Sequence, residues 1–157
     1  MSLYEELGLN KPFVNRAHET LLNIVLTGSL LMKEARRVLK PYGLTEAHFN
    51  ILMLLEHQCE DEQINQTELG RMLLVNRSNV TGLIDRMEQA GLVIRMPDAE
   101  DRRVHQVKLT EKGRDVLRKC QTIYYRRIEE VMSVLPVGRR DLLIGSLETL
   151  RDRVKRS

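Results

Sequence analysis

Apolar residues recur at helical spacing along most of the chain. In the first part, between about residues 11 and 40, they alternate in steps of three and four, at Val14, Ala17, Leu21, Ile24, Gly28, Leu31, Ala35 and Val38. This 3.5-residue repeat is typical of a seam between two long helices. It predicts a long helix that opens near Asn10 and Pro12, ends before Pro41 and Gly43, and packs against a helical partner.

Two shorter helices are predicted next. The segment LTEAHFNILMLLEH at 44–57 begins with Thr45 as a cap, and its apolar side is formed by Phe49, Leu52, Met53 and Leu55. The acidic stretch CEDEQ at 59–63 reads as a solvated loop. Asn65 is then followed three residues later by Glu68, which is the spacing of a capping box. A short third helix is therefore expected over 64–74.

A fourth helix and two strands follow. RSNVTGLIDRMEQAG at 77–91 ends at Gly91 and places four apolar residues on one face, Val80, Leu83, Ile84 and Met87. LVIRMP at 92–97 and VHQVKL at 104–109 read as strands, with the turn between them starting at Pro97 and Asp98. Thr110 caps a further long helix, and a last helix follows the break at 136–138.

This order of elements predicts a fold class. Two short helices followed directly by a two-stranded hairpin are the arrangement of a winged helix-turn-helix, whose second helix enters a DNA major groove. The fold class is therefore mainly α with a small β-hairpin wing. We expect one domain over 1–157, with the winged helix-turn-helix at 45–109 and a helical part at 11–40 and 111–156.

Composition narrows the classes of protein. The 157 residues fit one domain. Only 4% of them are aromatic and none is Trp, so the core must be mostly aliphatic, which suits helices. A net charge of +3 permits a polyanionic partner without requiring one, although positive charge concentrates between residues 102 and 119. The chain shows no signal peptide or membrane span, and Cys59 and Cys120 are far apart, which indicates a cytoplasmic location.

The outer face of the fourth helix carries the candidate base-reading side chains. Short polar residues near a helix N-terminus can bond to bases or phosphates, and Asn pairs with adenine in bidentate fashion. Gly82 lies inside this exposed helix, where a glycine lowers helix stability by about 1 kcal/mol relative to alanine. Close approach of another surface would explain a glycine at this position. The candidate DNA contacts in and before this helix are Asn76, Arg77, Ser78, Asn79, Thr81, Gly82 and Arg86.

The segments LTEAHFNILMLL, INQTELGRMLLVNRSNVTGLIDRMEQAGLV and PDAEDRRVHQVKLTEKG resemble the multiple antibiotic resistance regulator (MarR) family. That family has a D-x-R wing tip before an L-T-x-x-G strand-to-helix junction. The matching positions here are Asp101, Arg102, Arg103, Leu109, Thr110 and Gly113. The resemblance implies that Arg103 enters an A·T-rich minor groove, that Arg102 contacts phosphate and that Asp101 orients an arginine.

The resemblance also implies how such a protein works. We expect a homodimer, joined through the first helix and the last two, that binds double-stranded DNA as a transcriptional repressor. A phenolic or aromatic acid is the expected effector, in a pocket for which His18, Tyr42 and His48 are candidates. Control by oxidation of Cys59 or Cys120 is an alternative, as is a winged helix that only docks other proteins.

Catalysis, metals and cofactors are not expected. The four His residues lie singly, without the paired spacing of a zinc site. The chain has no nucleophile elbow, phosphate-binding loop, dinucleotide fingerprint or HExxH motif. The sequence therefore predicts a regulator that is not an enzyme and needs no cofactor.

Overall fold

The computed structural model describes residues 2–73, 80–98 and 105–156. The helices are α1 (Leu3–Glu6), α2 (Arg16–Leu39), α3 (Glu46–Gln58), α4 (Gln66–Met72), α5 (Val80–Gln89), α6 (Glu111–Met132) and α7 (Val137–Lys155). The strands β1 (Gln63–Asn65), β2 (Val93–Pro97) and β3 (His105–Leu109) form an antiparallel sheet in the order β1-β3-β2. The predicted fold class, mainly α with a small β wing, is confirmed.

The first long helix starts later than the sequence pattern predicts. Asn15, not Asn10, is its N-cap, and the Asn15 side chain accepts the His18 amide at 3.1 Å. Pro12 lies before the helix, and a short helix, α1, occupies 3–6. Thr45 and Thr110 cap α3 and α6 as predicted, through bonds from the His48 amide and the Gly113 amide.

The acidic stretch after α3 leads into a third strand that the sequence pattern did not predict. β1 pairs with β3, placing Ile64 opposite Val107, and so extends the predicted two-stranded hairpin to three strands. Asn65, the last residue of β1, also caps α4 by accepting the amides of Thr67 and Glu68. The strand therefore fixes where α4 begins, close to the wing.

The core lies between α3, α5, α6 and the inner face of the sheet. All four predicted inward residues of α5, Val80, Leu83, Ile84 and Met87, are buried, which confirms the orientation of that helix. They pack in one cluster with residues of the other elements, including Leu52, Leu55, Val93, Val107 and Leu117. Burying a side chain of this size contributes roughly 1.5–3 kcal/mol, so the orientation of α5 is strongly determined.

The predicted seam along α2 divides into two parts. Ala35 is buried and Val38 partly buried, in the half of α2 that packs on α6. Leu21 and Ile24, in the N-terminal half, remain exposed in the single chain. Helix α7 likewise has no buried residue among its 19. Two apolar helix faces are therefore uncovered.

The junction between the sheet and α6 is tightly packed. The Thr110 amide donates to the Leu92 carbonyl at 3.2 Å, and the Thr110 hydroxyl donates to the Gly91 carbonyl at 2.7 Å. Gly113 is buried in the first turn of α6, where a Cβ would lie 2.1 Å from the Leu92 carbonyl oxygen. Only glycine fits there, which gives the L-T-x-x-G pattern a structural reason.

Gly113→Ala is expected to destabilise the protein, although alanine favours helices by about 1 kcal/mol. The added methyl group meets backbone, which cannot move aside easily, and overpacking of this kind costs about 1–3 kcal/mol or more. Urea unfolding followed by circular dichroism measures the free energy of unfolding.

Gly145→Ala is the matched control, because it lies in α7 with nothing within 4 Å of the added Cβ. We expect it to be neutral or to stabilise the protein by up to about 1 kcal/mol. Equal effects of the two substitutions on unfolding would contradict the packing described for the junction.

Candidate nucleic-acid interface

The candidate DNA contacts fall partly within the described residues. Thr81, Gly82 and Arg86 lie on α5. The others fall outside the described residues: Asn76, Arg77, Ser78 and Asn79 before α5, and Asp101, Arg102 and Arg103 between β2 and β3. Of the elements expected to meet DNA, the structure therefore describes α5 and the two strands of the wing, β2 and β3.

The solvent side of α5 carries exposed polar and positive groups. Thr81 and Arg86 are exposed, and Gly82 is partly exposed. Among the described residues Arg86 makes no ion pair. Because the opposite face of α5 is buried in the core, these groups can face a ligand without disturbing the fold.

Thr81 is held in place by the helix before it. The Gln66 side-chain amide donates to the Thr81 hydroxyl oxygen at 2.9 Å, so the first turn of α4 contacts the first turn of α5. The Thr81 hydroxyl still has its own hydrogen to donate. This bond therefore orients the hydroxyl and leaves it able to donate to a phosphate or a base.

Sequence reasoning missed an arginine-centred network beside α5. Arg95 on β2 donates to Asp85 at 2.6 Å and to Glu88 at 2.9 Å, both on α5. Asp85 is about half exposed on α5 and is paired with the neighbouring strand. The pattern of residues along α5 alone could not reveal this, since the partner lies on a strand.

Part of the basic run between 102 and 119 is used within the fold. Arg114 is paired with Glu62, and Arg118 with Asp115. The Lys112 ammonium donates to the Ala90 carbonyl at 2.7 Å, at the C-terminal end of α5. The Arg114 hydrogen bond lowers the pKa of the Glu62 carboxyl, which keeps this pair charged. These side chains stabilise the start of α6.

His48, a candidate effector residue, lies in the first turn of α3, and its two ring nitrogens are buried with no hydrogen-bond partner among the residues that the structure describes. Burial lowers the pKa of His48, and the positive charge of Arg86 lowers it further. The ring is therefore neutral at neutral pH and lies near the Arg86 side of α5.

Tyr42 and His18, the other two candidates, are far apart in one chain. Tyr42 lines a cavity of about 430 Å³ whose other lining residues are Arg37, Val38, Pro41, Ile123, Arg126, Arg127 and Glu130. His18 is at the opposite end of α2, with its ring edge to face with Phe13. At a rise of 1.5 Å per residue, 24 residues span about 36 Å, so one chain does not bring these two together.

A second cavity, which sequence reasoning missed, is mainly apolar. Its volume is about 290 Å³, and it is lined by Phe49, Asn50, Met53, Leu54, Met72, Leu73, Tyr124 and Tyr125. Phe49 and Tyr124 have their ring centroids 4.5 Å apart. The predicted apolar side of α3 contained Phe49 and Met53, but their meeting with Tyr124 of α6 depends on the tertiary fold.

The two thiols are in environments that disfavour the reactive thiolate. Cys120 is fully buried in the core, and burial raises its pKa to about 11. Cys59 is partly buried, and burial together with the charge of Glu68 raises its pKa.

In the described part of the chain, His, Cys, Asp and Glu side chains form no cluster that could hold a metal ion. No helix there is long and apolar enough to cross a membrane.

Comparison with known sequences gives a family match. The MarR family model matches residues 44–105. The transcriptional repressor YetL of Bacillus subtilis is 30% identical over 128 residues, covering 79% of this chain and 76% of YetL. The repressor MprA of Escherichia coli is 32% identical, and the alignment covers 73% of this chain and 65% of MprA. The activatory protein BadR of Rhodopseudomonas palustris is 34% identical, and the alignment covers 64% of this chain and 57% of BadR.

Solved structures share the whole fold. AbsC, a MarR family transcriptional regulator from Streptomyces coelicolor, superposes with a TM-score of 0.82 at 23% identity, over 94% of this chain and 100% of AbsC. Another regulator from that organism, solved in complex with DNA, gives 0.80 at 22% identity, with 91% of each chain covered. The organohalide-sensing regulator RdhR, bound to 2,4-dichlorophenol, superposes with a TM-score of 0.81 at 23% identity, over 92% of this chain and 86% of RdhR.

The family match coincides with the winged helix, and the alignment with YetL, over 128 residues, extends beyond it into the long helices. Members of this family regulate transcription and are not enzymes. The chain belongs to the MarR family of DNA-binding transcriptional regulators.

Proposed function

We propose that the protein is a homodimeric repressor that binds a pseudo-palindromic DNA site. Helix α5 enters the major groove of each half-site, and the wing, residues 93–109, reaches the adjacent minor groove. The observation that carries this proposal is the two-sided character of α5. Its apolar face is buried, while Thr81 and Arg86 are exposed on the side away from the core.

The uncovered helix faces support a homodimer. Helix α7 buries none of its 19 residues, and its apolar stripe includes Leu143, 45% exposed, and Leu150, 47% exposed. Leu21 and Ile24 on α2 are exposed in the same way. Apolar faces on two long helices mark an interface rather than a solvated surface. A second copy supplies matching faces, and two-fold symmetry then presents two α5 helices to DNA.

Repression is proposed because YetL and MprA carry the name of repressor. BadR is named an activatory protein, so the position of the DNA site relative to the promoter decides the sign of regulation. A regulator of this kind acts where the chromosome lies, and we therefore place it in the cytoplasm.

For the effector, we propose a small aromatic acid or phenol. The Tyr42 cavity combines apolar walls with three arginines, of which Arg37 and Arg127 both bond to Glu34. Arg126 makes no ion pair with any part of the chain that the structure describes. An aromatic acid would place its ring on the apolar wall and its carboxylate near Arg126. The 2,4-dichlorophenol complex of RdhR shows that a relative of this fold binds such a ring.

The direct test of the proposed function is selection of DNA. The purified full chain is used to enrich duplexes from a randomised pool, and fluorescence anisotropy then compares the enriched duplex with a scrambled one over a salt series. We expect the enriched duplex to bind at least about 1,000-fold more tightly near physiological salt. Equal, weak and salt-sensitive binding of both duplexes would instead favour the protein-docking alternative.

Arg103→Ala is expected to weaken binding to the enriched duplex by about tenfold or more, because one charged minor-groove contact is lost. Dimerisation should not change, since the proposed interface is formed by α2 and α7 and not by the wing. Arg118→Ala is the matched control, an exposed arginine on α6 that pairs with Asp115. Unchanged affinity in the Arg103 variant would remove the wing from the proposed mode of binding.

Leu150→Glu is expected to raise the dissociation constant of the dimer by at least about a hundredfold, because a carboxylate would be buried at the interface without a partner. Thr149→Glu adds the same charge about 100° around α7 from Leu150, outside the stripe that contains Leu143 and Leu150, and should leave the dimer intact. Sedimentation velocity over a concentration series measures both. The proposed interface is wrong if the two variants dissociate alike.

Peroxide is expected to leave DNA affinity unchanged. With a thiol pKa of about 11, only about one Cys120 in ten thousand is a thiolate at pH 7. Alkylation of Cys120 in the folded protein, followed by mass spectrometry, should accordingly be far slower than in urea. A loss of DNA binding with peroxide that disappears in Cys59→Ser or Cys120→Ser would restore the redox alternative.

A further inference from the structure

One arginine joins strand β2 to helices α4 and α5. Arg95 lies on β2, with 21% of its side chain exposed. Its Nε donates to the Gln66 side-chain oxygen on α4 at 3.3 Å, and its Nη1 donates to Glu88 on α5 at 2.9 Å. Its Nη2 donates to the Asp85 carboxylate at 2.6 Å and to the Thr81 carbonyl at 3.3 Å. Every nitrogen of the guanidinium therefore has a partner.

The contacts on α5 follow one edge of that helix. Thr81, Asp85 and Glu88 are spaced four and three residues apart, so they lie in line over two turns. Glu88 contacts Arg95 twice, because its other oxygen accepts the Arg95 backbone amide at 2.9 Å. A planar guanidinium bonded in several directions restricts the angle between the strand and the helix, which a flexible ammonium group cannot do.

The network also reaches the candidate contact residue Thr81 from two sides. Arg95 holds the Thr81 carbonyl, and Gln66 donates to the Thr81 hydroxyl while accepting from Arg95. Asp85 and Glu88 are both partly exposed, so a single ion pair with either would contribute little to stability, and the effect of Arg95 comes from several groups joined in one network. The network therefore restricts where the first turn of α5 can lie.

We propose that Arg95 is a positioning residue that fixes α5 relative to the wing, so that major-groove and minor-groove contacts form together on one half-site. The inference rests on the proposed function. Sequence-specific binding requires both contacts in register, whereas non-specific binding depends on phosphate neutralisation alone. Arg95 accordingly controls the ratio of specific to non-specific affinity, without touching DNA.

The test compares Arg95→Met and Arg95→Lys with the wild-type full chain on the enriched and the scrambled duplex, over a salt series. We expect the ratio of the two affinities to fall about tenfold or more in both variants. The affinity for the scrambled duplex should stay within about twofold, with an unchanged salt slope. Lysine should not rescue, because it keeps the charge and loses the planar set of donors.

Arg36→Met is the matched control. Arg36 also joins two elements through a carboxylate, because it pairs with Glu46 at 2.9 Å and so links α2 to α3, but this pair does not involve α5. Removing it should leave the affinity ratio unchanged. Circular dichroism at the assay temperature confirms folding of each variant.

A second variant keeps the arginine and removes its carboxylate partners. Asp85→Asn with Glu88→Gln takes two negative charges from α5, so simple loss of repulsion would strengthen binding to both duplexes. Positioning by Arg95 predicts instead that the ratio of specific to non-specific affinity falls. This variant keeps the proposal testable should Arg95→Met not fold.

Four results would overturn the proposal. Rescue by lysine, or an unchanged ratio in folded Arg95 variants, would exclude positioning through the guanidinium. Equal losses on both duplexes with a salt slope reduced by about one charge would make Arg95 a phosphate contact. If the wild-type chain prefers no duplex at all, the proposed function fails and this inference with it.

Discussion

The packing of α6 on the Leu92 carbonyl is the constraint on which the arrangement of the molecule depends. Leu92 lies between the end of α5 and the start of β2, so its carbonyl belongs to the winged helix. Thr110 donates to it, and Gly113 lies where any Cβ would overlap it. Lys112 adds a bond to the Ala90 carbonyl. The first turn of the 22-residue helix α6 is therefore attached directly to the end of α5.

This attachment gives the proposed effector a route to the DNA interface. Both cavities are bounded by α6, one through Ile123 and Arg126 and the other through Tyr124 and Tyr125. A ligand that favours one tilt of α6 would also favour one position of the winged helix, because the junction is too tightly packed to act as a hinge. In a dimer, a change of that kind alters the spacing of the two α5 helices.

Two different interactions hold two sides of α5. Apolar burial of Ile84 and Met87 holds one face of α5 against the core, and this packing determines its depth. The Arg95 network holds an adjacent edge and determines its angle to the wing. The remaining face, with Thr81 and Arg86, is left for a ligand. Stability and orientation therefore come from different residues.

The sequence predicted best where the determining signal is local. The inward face of α5 and the caps Thr45, Asn65 and Thr110 follow from spacing within one segment, and the structure confirms them. The start of the first long helix was predicted near Asn10, whereas Asn15 caps it in the structure, so the local signal at Asn10 did not determine where this helix begins.

Other features depend on residues far apart in the chain. Strand β1 is three residues long and forms only by pairing with β3, so no periodicity could reveal it. The pairing of Asp85 with Arg95 was missed for the same reason. The cavity beside Phe49 and Tyr124 likewise arises where α3 and α6 meet. Local patterns predict which elements form, whereas the polar contacts between elements need the three-dimensional structure.

Hydroxyl-radical footprinting of the wild-type protein on its enriched duplex tests the central claim most directly, because it reports both grooves and both half-sites at once. A dimer with α5 in the major groove and the wing in the minor groove predicts two protected regions related by two-fold symmetry. Their centres should lie about one helical turn, roughly 10 base pairs, apart, each with protection in the flanking minor groove. A single protected region, or uniform protection without groove periodicity, would contradict the account.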